Sequence, residues 1–130
     1  MNKTINTFKD SNSLEYRKNK FASIVKSKKA FNRLPVICVL EDGSTRFKGL
    51  NIMKFLCEKD MSMGMLLMTI RERLNQHENG LDKTEAIFLL IGDGNNMASS
   101  DEKIEDIYNK YKDDEDNFVY CIICVERTFG

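Results

Sequence analysis

The feature that most constrains this chain is a continuous apolar run close to its last residue. Residues 118–125 read Phe-Val-Tyr-Cys-Ile-Ile-Cys-Val. The length of this run and its aromatic and β-branched content predict a buried strand. A short tail follows and ends in Gly130. Because glycine has no side chain, its carboxylate fits a narrow enzyme groove, and we expect Gly130 to be reactive. The alternative is that the glycine is incidental.

Length and hydropathy limit the classes of protein to which this chain can belong. The 130 residues suffice for one domain that buries its own core. No apolar stretch is long enough to span a bilayer, and the first residues lack the apolar centre of a secretion signal. We therefore expect a cytoplasmic protein that reaches a membrane only through a modification or a partner.

The four cysteines favour buried thiols over a catalytic or metal-binding site. Cys38, Cys57, Cys121 and Cys124 lie in or beside apolar runs, where cysteine behaves as a small apolar residue. The last two have the Cys-x-x-Cys spacing of redox proteins, but residues three apart on a strand face opposite sides. One histidine, His77, adds too little for a zinc site. We expect no metal, no cofactor and no enzymatic activity.

Charge is balanced overall but unevenly distributed. Residues 1–35 carry nine Lys/Arg against two Asp/Glu, whereas residues 101–116 carry eight Asp/Glu against three Lys. Either both segments are solvated helical faces, or the basic one attracts acidic partners or an anionic membrane. No motif indicates nucleic-acid binding, and the whole domain is not basic.

The first half of the chain is predicted to form a helix and a hairpin. Asn12 and Glu15 resemble a capping pair that opens a helix with apolar residues on one side. A strand over residues 34–40 follows. The Asp-Gly pair at residues 42–43 predicts a tight turn into a returning strand over residues 45–50.

The second half is predicted to alternate helices with strands. A short extended piece at residues 54–57 precedes a helix capped by Ser62. A strand over residues 85–91 leads to a helix opened by a capping box of Ser99 and Glu102, and the final apolar strand comes last.

This order predicts the fold class. A helical segment followed by ββαβαβ indicates an α+β fold, the ubiquitin-like β-grasp, with a four-stranded mixed sheet. We expect a single domain over residues 1–130, in which residues 1–33 form an N-terminal helical extension. Residues 34–130 would then form the β-grasp core and its glycine tail.

A set of short segments spans nearly the whole chain in a fixed order. They are Leu14-Glu15-x-Arg17, Arg33-Leu34-Pro35-Val36-Ile37, Lys54-Phe55-Leu56, Met61-Ser62-Met63-Gly64, Ile70-Arg71-x-Arg73-Leu74, Ile107-Tyr108-x-x-Tyr111-Lys112-Asp113, Asp116-x-Phe118-Val119-Tyr120 and Thr128-Phe129-Gly130. No single segment is specific, but the ordered set resembles the autophagy ubiquitin-like modifiers of the Atg8/GABARAP type.

The resemblance implies a protein modifier that acts in autophagosome formation. In the family, an activating enzyme converts the terminal glycine to a thioester, and a conjugating enzyme joins it to the amine of phosphatidylethanolamine. A cysteine protease reverses the conjugation. On this chain the glycine would be Gly130, and a lipidated form would be anchored on autophagosomal membranes beside a cytoplasmic pool.

The resemblance also implies binding of aromatic-x-x-aliphatic peptide motifs from autophagy receptors, added as a strand to the sheet edge. The implied aromatic pocket is lined by Ile24 or Val25, Pro35, Ile37, Lys54, Leu56 and Phe118. The implied aliphatic pocket is lined by Phe55, Cys57, Met61, Leu66, Thr69 and Arg73. Arg33 and Arg73 are expected to meet acidic residues of the ligand. Alternate residues of segment 54–57 face opposite sides of a strand, which gives a physical reason for two pockets.

Two alternative functions stay open, and the sequence departs from the pattern of the family at several positions. The chain could instead be a modifier joined to protein lysines, or a peptide-binding scaffold that is not conjugated. Two extra residues precede Pro35, Glu58 stands where members usually carry proline, and Thr69 replaces a larger apolar residue. The resemblance therefore constrains peptide specificity less than it constrains the fold.

Overall fold

The fold is that of a computed structural model that describes residues 7–41, 45–92 and 96–127. Gly130 and the predicted turn at residues 42–43 lie outside these ranges. The elements in chain order are α1 (Thr7–Ser11), α2 (Leu14–Lys26), β1 (Arg33–Leu40), β2 (Ile52–Glu58), α3 (Met63–Gln76), β3 (Glu85–Ile91), α4 (Ile104–Tyr111) and β4 (Val119–Arg127). Short 3₁₀ turns cover Lys28–Ala30 and Thr45–Phe47.

The strands form one mixed sheet in the order β2-β1-β4-β3. β1 is antiparallel to β2 and parallel to β4, and β3 is antiparallel to β4. This confirms the four-stranded mixed sheet predicted from the order of the elements. β4 is a central strand whose side chains are buried on both faces of the sheet, which explains why its sequence is a continuous apolar run.

Helices cover both faces of the sheet. α3 and α4 pack on one face around a large cluster that includes Cys38, Cys121 and Ile70. α1 and α2 pack on the other face, around a smaller cluster that includes Phe118 and Cys124. Cys121 and Cys124 therefore lie on opposite faces, as predicted, and do not form a redox pair.

The start of α2 differs from the prediction. Ser13, not Asn12, is the N-cap, and its side chain accepts a hydrogen bond from the Tyr16 backbone N–H at 3.1 Å. Asn12 instead donates its side-chain amide to the Phe8 carbonyl at 2.8 Å. Both residue types can cap, and the preceding helix α1 uses Asn12 to satisfy one of its own terminal carbonyls.

The returning strand was predicted too early in the chain. Residues Thr45–Phe47 form a 3₁₀ turn, and the strand that pairs with β1 is Ile52–Glu58. Phe47 is the physical reason, because its buried ring belongs to the main core cluster. The extended piece predicted at residues 54–57 is the centre of the real β2.

The predicted capping box does not open α4. The helix begins at Ile104, after Lys103. Residues 100–102 instead receive backbone hydrogen bonds from the start of α3: the N–H of Gly64 donates to Ser100 and that of Met63 donates to Glu102, both at 2.9 Å. The Glu102 N–H also donates to the Ser99 carbonyl at 3.1 Å, so this segment forms a turn against the start of α3 and does not begin a helix. A Cβ at position 64 would lie 3.2 Å from the Ser100 carbonyl oxygen, so the close approach favours glycine.

Candidate functional site

A groove of about 340 Å³ lies between α2, β1 and β2. It contains most of the residues expected for the aromatic pocket: Ile24, Pro35, Ile37, Lys54, Leu56 and Phe118. Val25 does not line it, since this side chain is 45 % exposed. Consecutive helix residues point about 100° apart, so Ile24 and Val25 cannot both face the groove. Of the two, Ile24 lines the groove.

The groove runs beside an edge of the sheet. Among the described residues, β2 pairs with β1 only. Its outer edge presents backbone N–H and C=O groups that are available to an added strand. Lys54 and Leu56 face the groove side of the sheet, whereas Cys57 belongs to the core cluster of the opposite face.

Six lining residues were missed by the sequence analysis: Phe8, Lys20, Ser23, Ser27, Lys29 and Val36. Phe8 matters most, because it is only 2 % exposed and packs edge-on against Phe118, with ring centroids 5.9 Å apart. The ammonium of Lys54 lies 5.4 Å from the centroid of the Phe8 ring. A lone Phe in a polar segment was the only signal in the sequence.

The rim of the groove is basic. Lys20, Lys29 and Lys54 line it and are exposed. Residues 16–35, which include all of α2 after Glu15, carry seven Lys/Arg and no Asp/Glu. An apolar floor inside a cationic rim favours a ligand with an apolar anchor and acidic neighbours.

A buried polar network positions the floor of the groove. Arg17 Nη1 donates to Asp116 Oδ2 at 2.5 Å, and the Tyr120 hydroxyl also donates to Asp116. The other carboxylate oxygen of Asp116 accepts the Phe118 backbone N–H at 3.0 Å. Burial and the bond to Asp116 raise the pKa of the Tyr120 hydroxyl, so it stays protonated as a donor.

The residues expected for the aliphatic pocket lie on the other side of β2, although Phe55 also lines the groove. Cys57 and Leu66 are buried in the main core, and Phe55 and Met61 pack half-buried against it. The Thr69 hydroxyl donates to the Met65 carbonyl at 3.0 Å. The Arg73 guanidinium carbon lies 4.5 Å from the Phe55 ring centroid. In this set of residues, Arg73 and the half-buried Phe55 lie at the surface. Cys57 and Leu66 lie beneath them in the core.

The two arginines expected to meet acidic ligand residues have different surroundings. Arg73 is exposed and stacks on Phe55. Arg33 lies opposite Glu58 in the β1–β2 register, and their charged atoms are 3.9 Å apart. Glu58 offsets part of the positive charge at Arg33, so Arg73 is the stronger candidate for an acidic ligand group.

The cysteines supply no reactive thiol to this site. Burial raises the pKa of the Cys57 thiol to about 12, and the hydrogen bond with Cys121 and burial raise the pKa of Cys38. Thiols of this kind are poor nucleophiles and poor metal ligands. No group of three or more His, Cys, Asp or Glu side chains suited to a metal ion occurs within residues 7–41, 45–92 and 96–127.

A mixed sheet in this order, with helices on both faces and a groove beside an edge strand, defines a ubiquitin-like protein with an N-terminal helical extension. The family model described as "Autophagy protein Atg8 ubiquitin like" matches residues 16–130. The chain therefore belongs to the Atg8 family and is a ubiquitin-like modifier of autophagy.

Individual relatives agree with this assignment. The chain is 35 % identical over 124 residues to an autophagy-related protein 8-like protein of Dictyostelium discoideum, covering 95 % of this chain and 93 % of the relative. It is 32 % identical over 127 residues to human microtubule-associated protein 1 light chain 3 gamma, covering 98 % of this chain and 80 % of the relative. The crystal structure of Trypanosoma brucei ATG8 superposes with a TM-score of 0.73 at 29 % identity, covering 97 % of this chain and 99 % of that one.

As a member of this family, the chain interacts with the autophagy machinery, which includes activating enzymes, conjugating enzymes and lipids. In the described part of the chain, no helix combines the length and the hydropathy that crossing a bilayer requires.

Proposed function

We propose that this protein is conjugated through Gly130 to phosphatidylethanolamine and captures aromatic-x-x-aliphatic motifs of autophagy receptors. The observation that carries the peptide-binding half is the apolar groove beside the unpaired edge of β2. The half that concerns conjugation rests on the family match, which extends to residue 130.

Peptide capture uses the edge of β2 as a template. An extended peptide adds as a fifth strand, and its backbone pairs with β2. Its aromatic side chain enters the groove between Phe118, Ile24 and Leu56. Alternation along the peptide directs the aliphatic side chain toward Phe55 and Arg73.

Charge adds to this recognition. Acidic residues that precede the aromatic anchor would meet Lys20 and Lys29 on the rim. Each buried anchor contributes about 1.5–3 kcal/mol. After the costs of association, micromolar binding, about −8 kcal/mol, is expected. The lysine contribution weakens with salt because the rim is exposed.

Groove variants test the peptide-binding half. Leu56→Ser places a hydroxyl in the apolar groove and should weaken binding of an acidic-flanked Trp-x-x-Leu peptide about tenfold or more by calorimetry. Lys110→Gln, an exposed substitution on α4, is the control and should bind as the parent does. Equal affinity of both variants for the peptide would refute the groove as the site.

Intact mass tests conjugation. The chain is incubated with family activating and conjugating enzymes, ATP and phosphatidylethanolamine liposomes. A mass gain of one lipid less one water, lost in Gly130→Ala, is the expected result. An adduct with a protein of the reaction mixture instead would favour a modifier of lysines, and no adduct with enzymes that modify a known family member would favour a scaffold that is not conjugated.

We also propose that the protein is the substrate of these enzymes and has no catalytic activity of its own. The carboxyl group of Gly130 supplies the electrophile, and partner cysteines supply the nucleophile. Burial of Cys57, and its pKa of about 12, support this division of roles. A deconjugating cysteine protease would complete the cycle.

A further inference from the structure

The junction between α2 and β1 exposes an aromatic ring. Phe31 is 86 % exposed, more than any other large apolar side chain in the described part of the chain. It does not line the groove. Val25, on the last turns of α2, is 45 % exposed. An exposed phenylalanine side chain adds no hydrophobic stabilisation to the fold, because that stabilisation comes from removing apolar surface from water.

The backbone holds this ring outward. The Phe31 N–H donates to the Lys28 carbonyl at 3.3 Å and closes the 3₁₀ turn. Asn32 follows in the left-handed region with φ 58°, which asparagine tolerates better than most residues. Its carbonyl accepts the Lys59 N–H at 3.2 Å, which fastens the turn to the end of β2. The exposure of Phe31 is therefore built into an ordered turn.

The chain around Phe31 is rich in lysine. Lys26, Lys28 and Lys29 are exposed next to it in sequence, and residues 16–35 contain no Asp or Glu. We call the surface formed by Val25, Lys26, Lys28, Lys29 and Phe31 the junction tip. It combines an apolar projection with positive charge that no acidic residue of the same segment neutralises.

We propose that the junction tip docks on an anionic lipid surface. Phe31 would enter the interfacial layer, where aromatic rings are favoured, and the lysines would lie at the level of the lipid phosphates. A projecting ring suits a fluid interface that closes around it, whereas a folded acidic protein would need a pocket of matching shape. The observations therefore favour a lipid surface over an acidic protein.

The junction tip lies far from the end of β4. β1 and β4 run parallel, with Val36 beside Val119 and Leu40 beside Ile123. The tip precedes β1, whereas Arg127 ends β4, so the two lie at opposite ends of the sheet. Docking of the tip therefore does not require conjugation at Gly130. The inference goes beyond the proposed function, and the unconjugated chain can test it.

The absence of tryptophan from the sequence gives a clean reporter. Phe31→Trp places a single fluorophore at the tip. On vesicles of phosphatidylcholine with phosphatidylserine, its emission should shift to the blue and be quenched by brominated lipid, and vesicles of phosphatidylcholine alone should give neither effect. Met68→Trp, at a 63 % exposed position on the opposite face of the sheet, is the matched control and should show no shift. An unchanged Phe31→Trp spectrum would overturn the proposal.

Separate variants then remove the charge and the aromatic ring, and vesicle co-sedimentation measures the effect of each. Lys26→Gln with Lys28→Gln should lower the partition coefficient at least tenfold, since each lysine near an anionic surface is worth about a factor of five. Phe31→Ser should lower it about tenfold, while affinity for the groove peptide stays at the parental value and shows that the fold is intact. Vesicle binding that is unaffected by Phe31→Ser, or blue-shifted Phe31→Trp emission with an acidic polypeptide in place of vesicles, would contradict a lipid-docking tip.

Discussion

Arg17 and Asp116 are 99 residues apart in sequence, yet their side chains form a buried ion pair at 2.5 Å. The pair joins the N-terminal helix α2 to the start of β4. Asp116 also binds the Phe118 backbone and the Tyr120 hydroxyl. One carboxylate therefore fixes α2 on the sheet and fixes the floor of the groove between them.

Loss of this carboxylate should destabilise the protein strongly. Asp116→Ala leaves the buried guanidinium of Arg17 without its partner, and such losses cost about 3–5 kcal/mol. Urea unfolding at neutral pH measures the change. The exposed pair Arg33–Glu58, 3.9 Å apart, provides the comparison, and Glu58→Ala should cost less than about 1 kcal/mol. Equal costs for the two variants would show that Asp116 is not the buried anchor of α2.

The ion pair between Arg46 and Glu85 should make stability depend on pH. The Arg46 guanidinium contacts both carboxylate oxygens at 2.6 Å and lowers the pKa of Glu85 from 4.5 to about 2. Because the folded pKa lies below the unfolded one, the pair stabilises the fold fully above about pH 4.5, and this contribution is lost as the pH falls toward 2.

Glu85→Gln measures that contribution. The variant should be about 2 kcal/mol less stable than the parent at pH 7, the typical worth of hydrogen bonds to a charged group. The difference in thermal midpoint should shrink between pH 4.5 and 2. A difference that stays constant over this range would mean that the charge of Glu85 does not contribute.

Phe8 should matter for peptide binding, although no role was predicted for it from the sequence. Phe8→Ala removes the ring that packs on Phe118 and supports Lys54. The groove then widens, and affinity for an aromatic anchor should fall about tenfold, with a smaller loss for a peptide whose anchor is leucine. Phe31→Ala removes an aromatic ring outside the groove and should leave both affinities unchanged in calorimetry.

The cysteine thiols should be nearly unreactive in the native protein. All four cysteines are free and buried, and burial raises the pKa of Cys57 and Cys124 to about 12. At pH 8, a disulfide reagent should react slowly with the folded chain and release one thiolate per cysteine, four in all, once guanidinium unfolds it. Rapid native reaction of Cys121 or Cys124 would revive a thiol-based activity.

Sequence alone was sufficient for features that rest on local pattern. The apolar run at residues 118–125 predicted the central strand, and Ser62 was identified as the cap of α3. The prediction of β3 at residues 85–91 matches the structure. In these segments, periodicity and capping chemistry agree with the tertiary contacts.

Features that depend on distant contacts were missed. Ser99 and Glu102 have a helix-capping pattern, but hydrogen bonds from Met63 and Gly64 hold that segment as a turn against α3. Phe8 lines the groove because long-range contacts, among them the ion pairs Lys9–Asp113 and Arg17–Asp116, hold the N-terminal helices on the sheet. The choice between Ile24 and Val25 depended on the register of α2, which the two extra residues before Pro35 obscured.

The most direct test of the account is the fluorescence of a tryptophan peptide. Because the chain has no tryptophan, excitation at the long-wavelength edge of indole absorption, where tyrosine does not absorb, reports only on an acidic-flanked Trp-x-x-Leu ligand. The account predicts a saturable blue shift that is weakened by Leu56→Ser and abolished when the ligand backbone is N-methylated at the positions that pair with β2. A shift that survives both changes would contradict strand addition beside the groove.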